Sequence, residues 1–338
     1  LKYTKKVYFC KPFLMPKRFF CTYFDSNYYT YAIALSKSLE QNVEDYVLFI
    51  VGMDEMCEKI FKKTPLPNSI LYSHEALKSF KPVLKLLQIE RTTAEYFFTC
   101  SAQVCEFILS RNPNIDILNY LDVDLCFFSS PEPIFNELGN ASIGIIKHNF
   151  HWTAQAKIKY GIYNVGWISF RNDEVGLKCI SDWAEDCINW CYQRLENNLY
   201  ADQKYLDIWP KKYKGLKVIK NKGANLAIWN IKNYKIRYVR KHIYVDETKL
   251  IFYHFAGLKQ LSKNKFDTKL SSYYSFLSKT ILQQIYTPYL KELLNHQSNN
   301  MILHNKEMKR SNLLSLIRIL ILRLRSNIFR DIIEIKKT

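Results

Sequence analysis

Asp122 and Asp124 stand one residue apart in Ile117-Leu118-Asn119-Tyr120-Leu121-Asp122-Val123-Asp124-Leu125, at the end of an apolar run. In an extended chain, positions i and i+2 point to one side, so the two carboxylates share a face while Val123 and Leu125 take the other. Like charges held that close repel, and they are poorly solvated unless a cation or hydrogen-bond donors lie between them. A hard divalent ion with oxygen ligands meets that need, above all one that also carries a diphosphate.

Such a pair needs a rigid mount, and the surrounding sequence describes one. Phe19-Phe20-Cys21-Thr22-Tyr23-Phe24 reads as a first strand, followed by the turn Asp25-Ser26-Asn27 and an amphipathic helix from Tyr28 to about Glu40. Tyr46 to Val51 is a continuous apolar strand of the kind buried on both faces. A helix near 53–63, a strand at 69–72, a helix near 99–110 and a strand over 115–121 continue the alternation. Strands follow at 142–146 and 166–170, then a long helix over 175–195. This alternation implies an α/β domain with an open, mostly parallel sheet and helices on both faces. In such sheets ligands bind beyond the carboxyl ends of the strands, where Asp25 and Asp122 both fall.

The 338 residues suffice for one large domain plus an appendage. The formal net charge of +18 points to a polyanionic partner. Its distribution is uneven. Residues 1–20 hold Lys2, Lys5, Lys6, Lys11, Lys17 and Arg18 and no acid, and residues 261–338 hold fourteen basic against five acidic side chains. We therefore divide the chain into a basic N-terminal segment (1–18), a catalytic domain (19–260) and a basic C-terminal helical extension (261–338), the last without clear strands. Nine cysteines, an odd number with no CxxC pair, read as reduced core thiols of a cytoplasmic protein. No signal peptide is expected, because no apolar stretch follows the basic start.

Four further segments accompany the paired aspartates: Thr22-Tyr23-Phe24-Asp25-Ser26-Asn27-Tyr28, Tyr163-Asn164-Val165-Gly166-Trp167, Ala201-Asp202-Gln203 and His254-Phe255-Ala256-Gly257-Leu258-Lys259. In this order and spacing, over about residues 19–260, the five resemble the nucleotide-sugar glycosyltransferases of the GT-A fold. They are similar to glycosyltransferase family eight and to related bacterial surface-polysaccharide enzymes, including those of lipopolysaccharide synthesis. The resemblance implies that Thr22, Tyr23, Asp25, Asn27 and Tyr28 hold the base and ribose of the nucleotide. It implies a Mn2+ or Mg2+ ion on the diphosphate, bound by Asp122, Asp124 and His254, with Gly257 and Lys259 near the phosphates. Asn164 falls on the donor sugar, and Asp202 and Gln203 on the acceptor side of the reacting bond.

Each role is chemically sensible. Tyrosine rings offer flat faces to a base, Asp25 can accept from a uracil-type N–H or a ribose hydroxyl, and a neutral imidazole favours Mn2+ over Ca2+. Gln203 does not titrate, which suits a retaining transfer. Asp173, Glu174 or Asp202 would serve as base in an inverting one. The chain also departs from the pattern. Lys259 comes one residue early, the following Pro-Trp is absent, and Ser101, Gln103 and Cys105 stand where a basic residue is usual one helix before the Asp-x-Asp. The Lys147-His148 segment is a further place where the identity of the donor sugar is set.

The expected activity is metal-dependent hexosyl transfer from a nucleotide diphosphate, UDP first, to a glycan or lipid-linked glycan acceptor. A sugar nucleotidyltransferase would carry a Gly-rich, basic loop after the first strand, where this chain has Asp25-Ser26-Asn27. A nucleic-acid binder would account for the charge, but the charge lies at the two ends and no recognition motif is present, so no nucleic acid is expected. The stretch Lys309–Arg330 reads as an amphipathic helix too short in its apolar run to span a bilayer. It suits peripheral contact with the anionic inner face of the cell membrane, or packing on the domain or on a second copy in a homo-oligomer.

Overall fold

The structure, a computed structural model, describes residues 16–296, 324 and 327–335. Its centre is a seven-stranded sheet built from β1 (Arg18–Phe24), β2 (Tyr46–Gly52), β3 (Ser69–Ser73), β4 (Ile117–Leu121), β6 (Ile143–Lys147), β7 (Tyr163–Arg171) and β8 (Leu216–Ile219), with the short β5 (Leu125–Phe127) leaving it after β4. The strand order is β3-β2-β1-β4-β7-β6-β8. All neighbours are parallel except β7, which runs antiparallel to both β4 and β6. The open, mostly parallel sheet expected from the sequence is therefore present.

Seven helices flank it: α1 (Tyr29–Asn42), α2 (Glu55–Lys63), α3 (His74–Phe80), α4 (Leu84–Glu90), α5 (Thr93–Arg111), α6 (Glu132–Leu138) and α7 (Glu174–Asn189). Alternate strand residues serve opposite faces. Cys21, Phe49, Val51, Leu118 and Tyr120 pack with α3, α4, α5 and α7, while Phe20, Leu48, Ile50 and Leu121 pack with α1, α2 and α6. Burial on both sides explains why Tyr46 to Val51 is apolar without a break. Beneath the paired aspartates, buried Asn119 donates to Phe19 O (2.9 Å) and accepts from Ser169 Oγ (2.7 Å), which ties β4 to both neighbours. The described cysteines are all free, and all but Cys126 are fully enclosed.

Two helix boundaries differ from the expected ones. Helix α5 begins at Thr93 rather than near 99, because Thr92 and Glu95 form a reciprocal capping box. Helix α7 ends at Asn189 rather than 195, and its last carbonyls at Cys187 and Ile188 accept from the buried Arg91 guanidinium.

A second, small sheet matters most for function. In it β13 (Phe252–His254) lies between β5, antiparallel, and β9 (Leu226–Ala227), parallel. Beside it β10 (Ile236–Val239), β11 (His242–Val245) and β12 (Thr248–Lys249) form an antiparallel meander. The region after residue 262, expected to lack strands, contributes β15 (Lys265–Asp267) and β16 (Ile332–Glu334); β15 pairs antiparallel with β16 on one side and with β14 (Lys259–Ser262) on the other. Helical turns over 279–295 dock on α1, where the ring of Tyr289 meets that of Tyr31 and Lys37 pairs with Glu292 at 2.9 Å. These residues share one core cluster with β9, β11 and β13. Of the expected helix over 309–330, only 324 and 327–330 are among the described residues, and residues 1–15 lie outside them. No helix among the described residues is long and apolar enough to cross a membrane.

Candidate functional site

Strands β1 and β4 are parallel neighbours, so their carboxyl ends open at one edge of the sheet. A cleft of about 860 Å³ lies there, lined from β1 and its loop by Tyr23, Asp25 and Tyr28, and from the β4 end by Tyr120, Asp122, Val123 and Asp124. Asn164, Asp202 and Gln203 line it too.

Asp122 and Asp124 do not sit on an extended strand. Residues 122–124 form the turn between β4 and β5, closed by the Leu125 amide donating to Asp122 O at 3.3 Å. The turn, not strand alternation, brings the carboxylates together, and Val123 consequently lines the cleft instead of facing away as extended geometry would have it. Strand β5 then pairs with β13 so that His254 stands opposite Leu125, and the Phe255 amide donates to Asp124 O at 3.0 Å. This pairing carries a histidine from more than a hundred residues downstream to the aspartates. His254 Nε2 lies 3.1 Å from Asp124 Oδ1 and 3.5 Å from Asp122 Oδ2. One ligand atom from each of the three residues falls within 4.8 Å of the others.

The electrostatics of this corner are unbalanced. Burial pushes the Asp122 carboxyl up, the neighbouring imidazole pulls it down and Asp124 pushes it up again. Burial depresses the imidazole of His254, but the two carboxylates outweigh burial and raise it. Tyr120 Oη donates to Asp122 Oδ1 at 2.8 Å. Two carboxylates and one imidazole nitrogen converging on one point are a donor set that fits Mn2+ or Mg2+. Glycine is required alongside. A Cβ on Gly166 would stand 2.6 Å from Asn164 Oδ1 and 2.7 Å from the His254 ring.

Asp202 occupies a different part of the same cleft. It is buried, accepts from Ser101 Oγ at 2.7 Å, and burial pushes its carboxyl up to about 7. Ser101 lies 2.9 Å from Tyr23 Oη, which also donates to Phe97 O. Gln203 donates to Tyr160 O at 2.9 Å, and Gly161, at φ +145°, packs against its side chain. Ala201 just before the pair holds a left-handed φ of +47°, a costly conformation for a residue with a Cβ.

The structure does not gather every expected residue. Asp25 and Tyr28 line the cleft, Asp25 accepting from the Asn27 amide at 3.0 Å as it caps the turn and Tyr28 packing on Tyr31. Thr22 is buried within β1 and Asn27 is exposed, and neither is among the cleft residues. Gly257, with φ +72°, makes the turn after β13, while Lys259 is exposed on β14 opposite Asp267; both lie outside the lining. Asp173 is the N-cap of α7, with one oxygen on the Gly176 amide and the other on Ser142 Oγ, and Glu174 belongs to that first turn. Conversely, Thr92, Thr93, Phe97, Phe98 and Gln193 line the cleft without having been singled out. The run Thr92-Thr93-Ala94-Glu95 is a legible capping box that would have moved the helix start and placed the first four beside the strands.

No protein-family model matches the chain. It is 30% identical over 259 residues to YfnD, an uncharacterized protein of Bacillus subtilis (strain 168), covering 76% of this chain and 82% of YfnD. It is 29% identical over 254 residues to YfnF of the same organism, also uncharacterized, covering 73% and 83%. Among solved structures it is similar to the galactosyltransferase LgtC in complex with donor and acceptor sugar analogs (TM-score 0.45, 15% identity, 71% of this chain and 87% of that one). It is similar also to the bifunctional glycosyltransferase WbbM (0.48, 13%, 85% and 53%) and to mouse xyloside xylosyltransferase 1 (0.44, 14%, 72% and 98%).

Proposed function

The chain belongs to the same family as YfnD of Bacillus subtilis, and from that premise we propose that it is a GT-A glycosyltransferase moving a sugar from a nucleotide diphosphate, UDP in the first instance, to a surface-glycan acceptor. The observation that carries this reading is the convergence of His254 on Asp122 and Asp124, the two aspartates that line the cleft. Nothing in packing calls for two carboxylates and an imidazole there, whereas a metal-bound diphosphate does. The three side chains would hold Mn2+ or Mg2+, which when bound offsets charge gathering on the departing diphosphate. Tyr23, Asp25 and Tyr28 bind the nucleoside beside it, and Asn164 and Gln203 orient the sugar.

Isothermal titration of UDP with and without Mn2+ tests the reading. Binding strengthened by Mn2+ in the wild type and not in Asp122→Ala is expected. Metal-indifferent binding, or none, sinks the assignment.

Retention is the stereochemistry we assign, because Gln203 cannot act as a base. One observation favours inversion instead: Asp202 lies in the cleft with its carboxyl pushed up to about 7, which suits a general base near neutral pH. Anomeric NMR of the first product distinguishes the two. Membrane contact through the C-terminal stretch is part of the same proposal, supported by the exposed apolar side chains of Leu324 and Ile328 among the basic residues there. A variant lacking residues 305–338 should no longer pellet with anionic vesicles; unchanged pelleting removes this element.

A further inference from the structure

His148, in the Lys147-His148 segment expected to set the donor sugar, lies outside the cleft lining and is 5% exposed. Its ring stacks on Phe150 with centroids 4.6 Å apart, and Trp229 meets it edge-on at 5.1 Å while meeting His254 at 5.2 Å. A buried imidazole with two ring nitrogens needs partners for both. One is Ile162 O, 3.3 Å from Nδ1; the other is the side-chain amide of Asn164, whose Nδ2 is 3.4 Å from Nε2.

The protons in this chain of contacts can be assigned without ambiguity, starting from a backbone group. The Gly166 amide is a donor and lies 3.1 Å from one end of the Asn164 side chain, so that end is the oxygen. The other end is therefore the NH2, and it faces His148 Nε2, which has to be the acceptor. Nδ1 of His148 then carries the ring proton, in agreement with its carbonyl partner at Ile162. The same Asn164 Oδ1 lies 3.1 Å from His254 Nδ1, so that nitrogen also bears a proton. In the neutral ring of His254 the remaining lone pair is on Nε2, the atom that faces Asp122 and Asp124.

We infer that His148 is a positioning residue for the metal site: it fixes the Asn164 amide, which fixes His254 with its proton on Nδ1 and its Nε2 lone pair turned to the two aspartates. The inference rests on the metal reading of those three side chains. Its reason is the familiar one for histidine ligands, whose second nitrogen donates to a group that sets ring orientation and tautomer. Here that group is a neutral amide, itself held at both ends. Removing His148 leaves a buried NH2 donor on Asn164 without a partner, and the amide then gains by turning away from Gly166 and His254. Burial keeps His148 well below its usual range, at about 3, so it stays an acceptor at any working pH.

The test uses the full chain with His148→Phe, which keeps the ring stacking and removes both nitrogens. His148→Met is a second nitrogen-free variant, and His148→Gln restores an acceptor. With the histidines labelled by 15N and the protein free of metal, at a pH alkaline enough to keep the rings neutral, the signal absent from His254→Ala reports the tautomer. Wild type and His148→Gln should show the Nδ1–H form, and the nitrogen-free variants a mixture. Mn2+ affinity in the presence of UDP should fall about 10-fold in the nitrogen-free variants and recover in His148→Gln. A folded His148→Phe or His148→Met with the wild-type tautomer and wild-type Mn2+ affinity overturns the inference. If the wild type itself binds no Mn2+ with UDP, the metal reading fails, and the tautomer comparison on the metal-free protein still decides whether His148 positions His254.

Discussion

In one cleft Asp122 and Asp124 meet an imidazole, while Asp202 meets a hydroxyl. Asp122 and Asp202 are carboxylates in one cavity, both destabilised as anions by burial, yet their surroundings differ. The imidazole of His254 is turned so that its free lone pair joins those of the carboxylates, an arrangement that a proton or a metal ion satisfies. Around Asp202 a serine and a tyrosine supply dipoles, and no basic side chain is among the cleft residues. Burial, with the charge of Asp122 added, pushes its carboxyl up to about 7, and the Ser101 hydrogen bond only partly opposes the rise. On the proposed metal reading, the imidazole makes Asp122 and Asp124 a candidate cation site, whereas burial and the charge of Asp122 leave Asp202 with its carboxyl pushed up.

The largest expected effect separates the two carboxylate sites. His254→Ala or Asp124→Ala should lower Mn2+-dependent UDP affinity by on the order of 100-fold or more, while Asp202→Asn should leave that affinity nearly unchanged; titration calorimetry measures both. If Asp202→Asn weakens metal-dependent binding as much as His254→Ala does, the two carboxylate sites are not distinct.

Asp202→Asn should instead show itself in stability. The folded-state value of about 7 lies above the ordinary 3.8, so the folded protein binds more protons than the unfolded chain between those values. Wild-type stability is therefore lost as pH rises through that window, by an amount of roughly 4 kcal/mol at most. The melting-temperature advantage of Asp202→Asn over wild type should grow from about pH 4 to about pH 7 and then level off. A constant difference across that range would show that Asp202 is an ordinary ionised carboxylate.

Gly166→Ala sharpens the proposed metal site. The new Cβ meets Asn164 and His254 at 2.6 and 2.7 Å, so overpacking should cost about 1–3 kcal/mol in thermal or denaturant unfolding and weaken Mn2+ binding as well. The smallest change is Tyr120→Phe. It removes one donor to Asp122 and should cost about 1 kcal/mol in metal-dependent UDP affinity, with no effect on the pH dependence tied to Asp202.

How much of this was legible beforehand varies with how local the cause is. Strands β1, β2 and β4 follow from continuous apolar runs, and the turn residues after β1 follow from Asp25-Ser26-Asn27. The early start of α5 was also written locally, in the capping box at Thr92 and Glu95, and with it the placement of Phe97 and Phe98 on the cleft. The turn at Asp122–Asp124 was not, because the same three residues read equally well as the end of a strand. The resemblance placed Lys259 near the phosphates although it comes one residue early, and β14 pairs with β15 and leaves it exposed. The structural use of Asp173 was visible only once Ser142 was found on its second oxygen.

Residue types and short-range order by themselves determined six of the seven central strands, all but β8, four of the seven flanking helices, all but α3, α4 and α6, and the carboxylates that call for a cation, since periodicity, caps and charge act within a few residues of their cause. What only the tertiary structure decided is which partner each acid received: His254 for Asp122 and Asp124 through the pairing of β13 with β5, Ser101 for Asp202 across the cleft, and the line from His148 through Asn164 that orients His254. Those partners come from strands and helices far apart in the chain. Their hydrogen bonds depend on tenths of an ångström that no spacing in the sequence encodes.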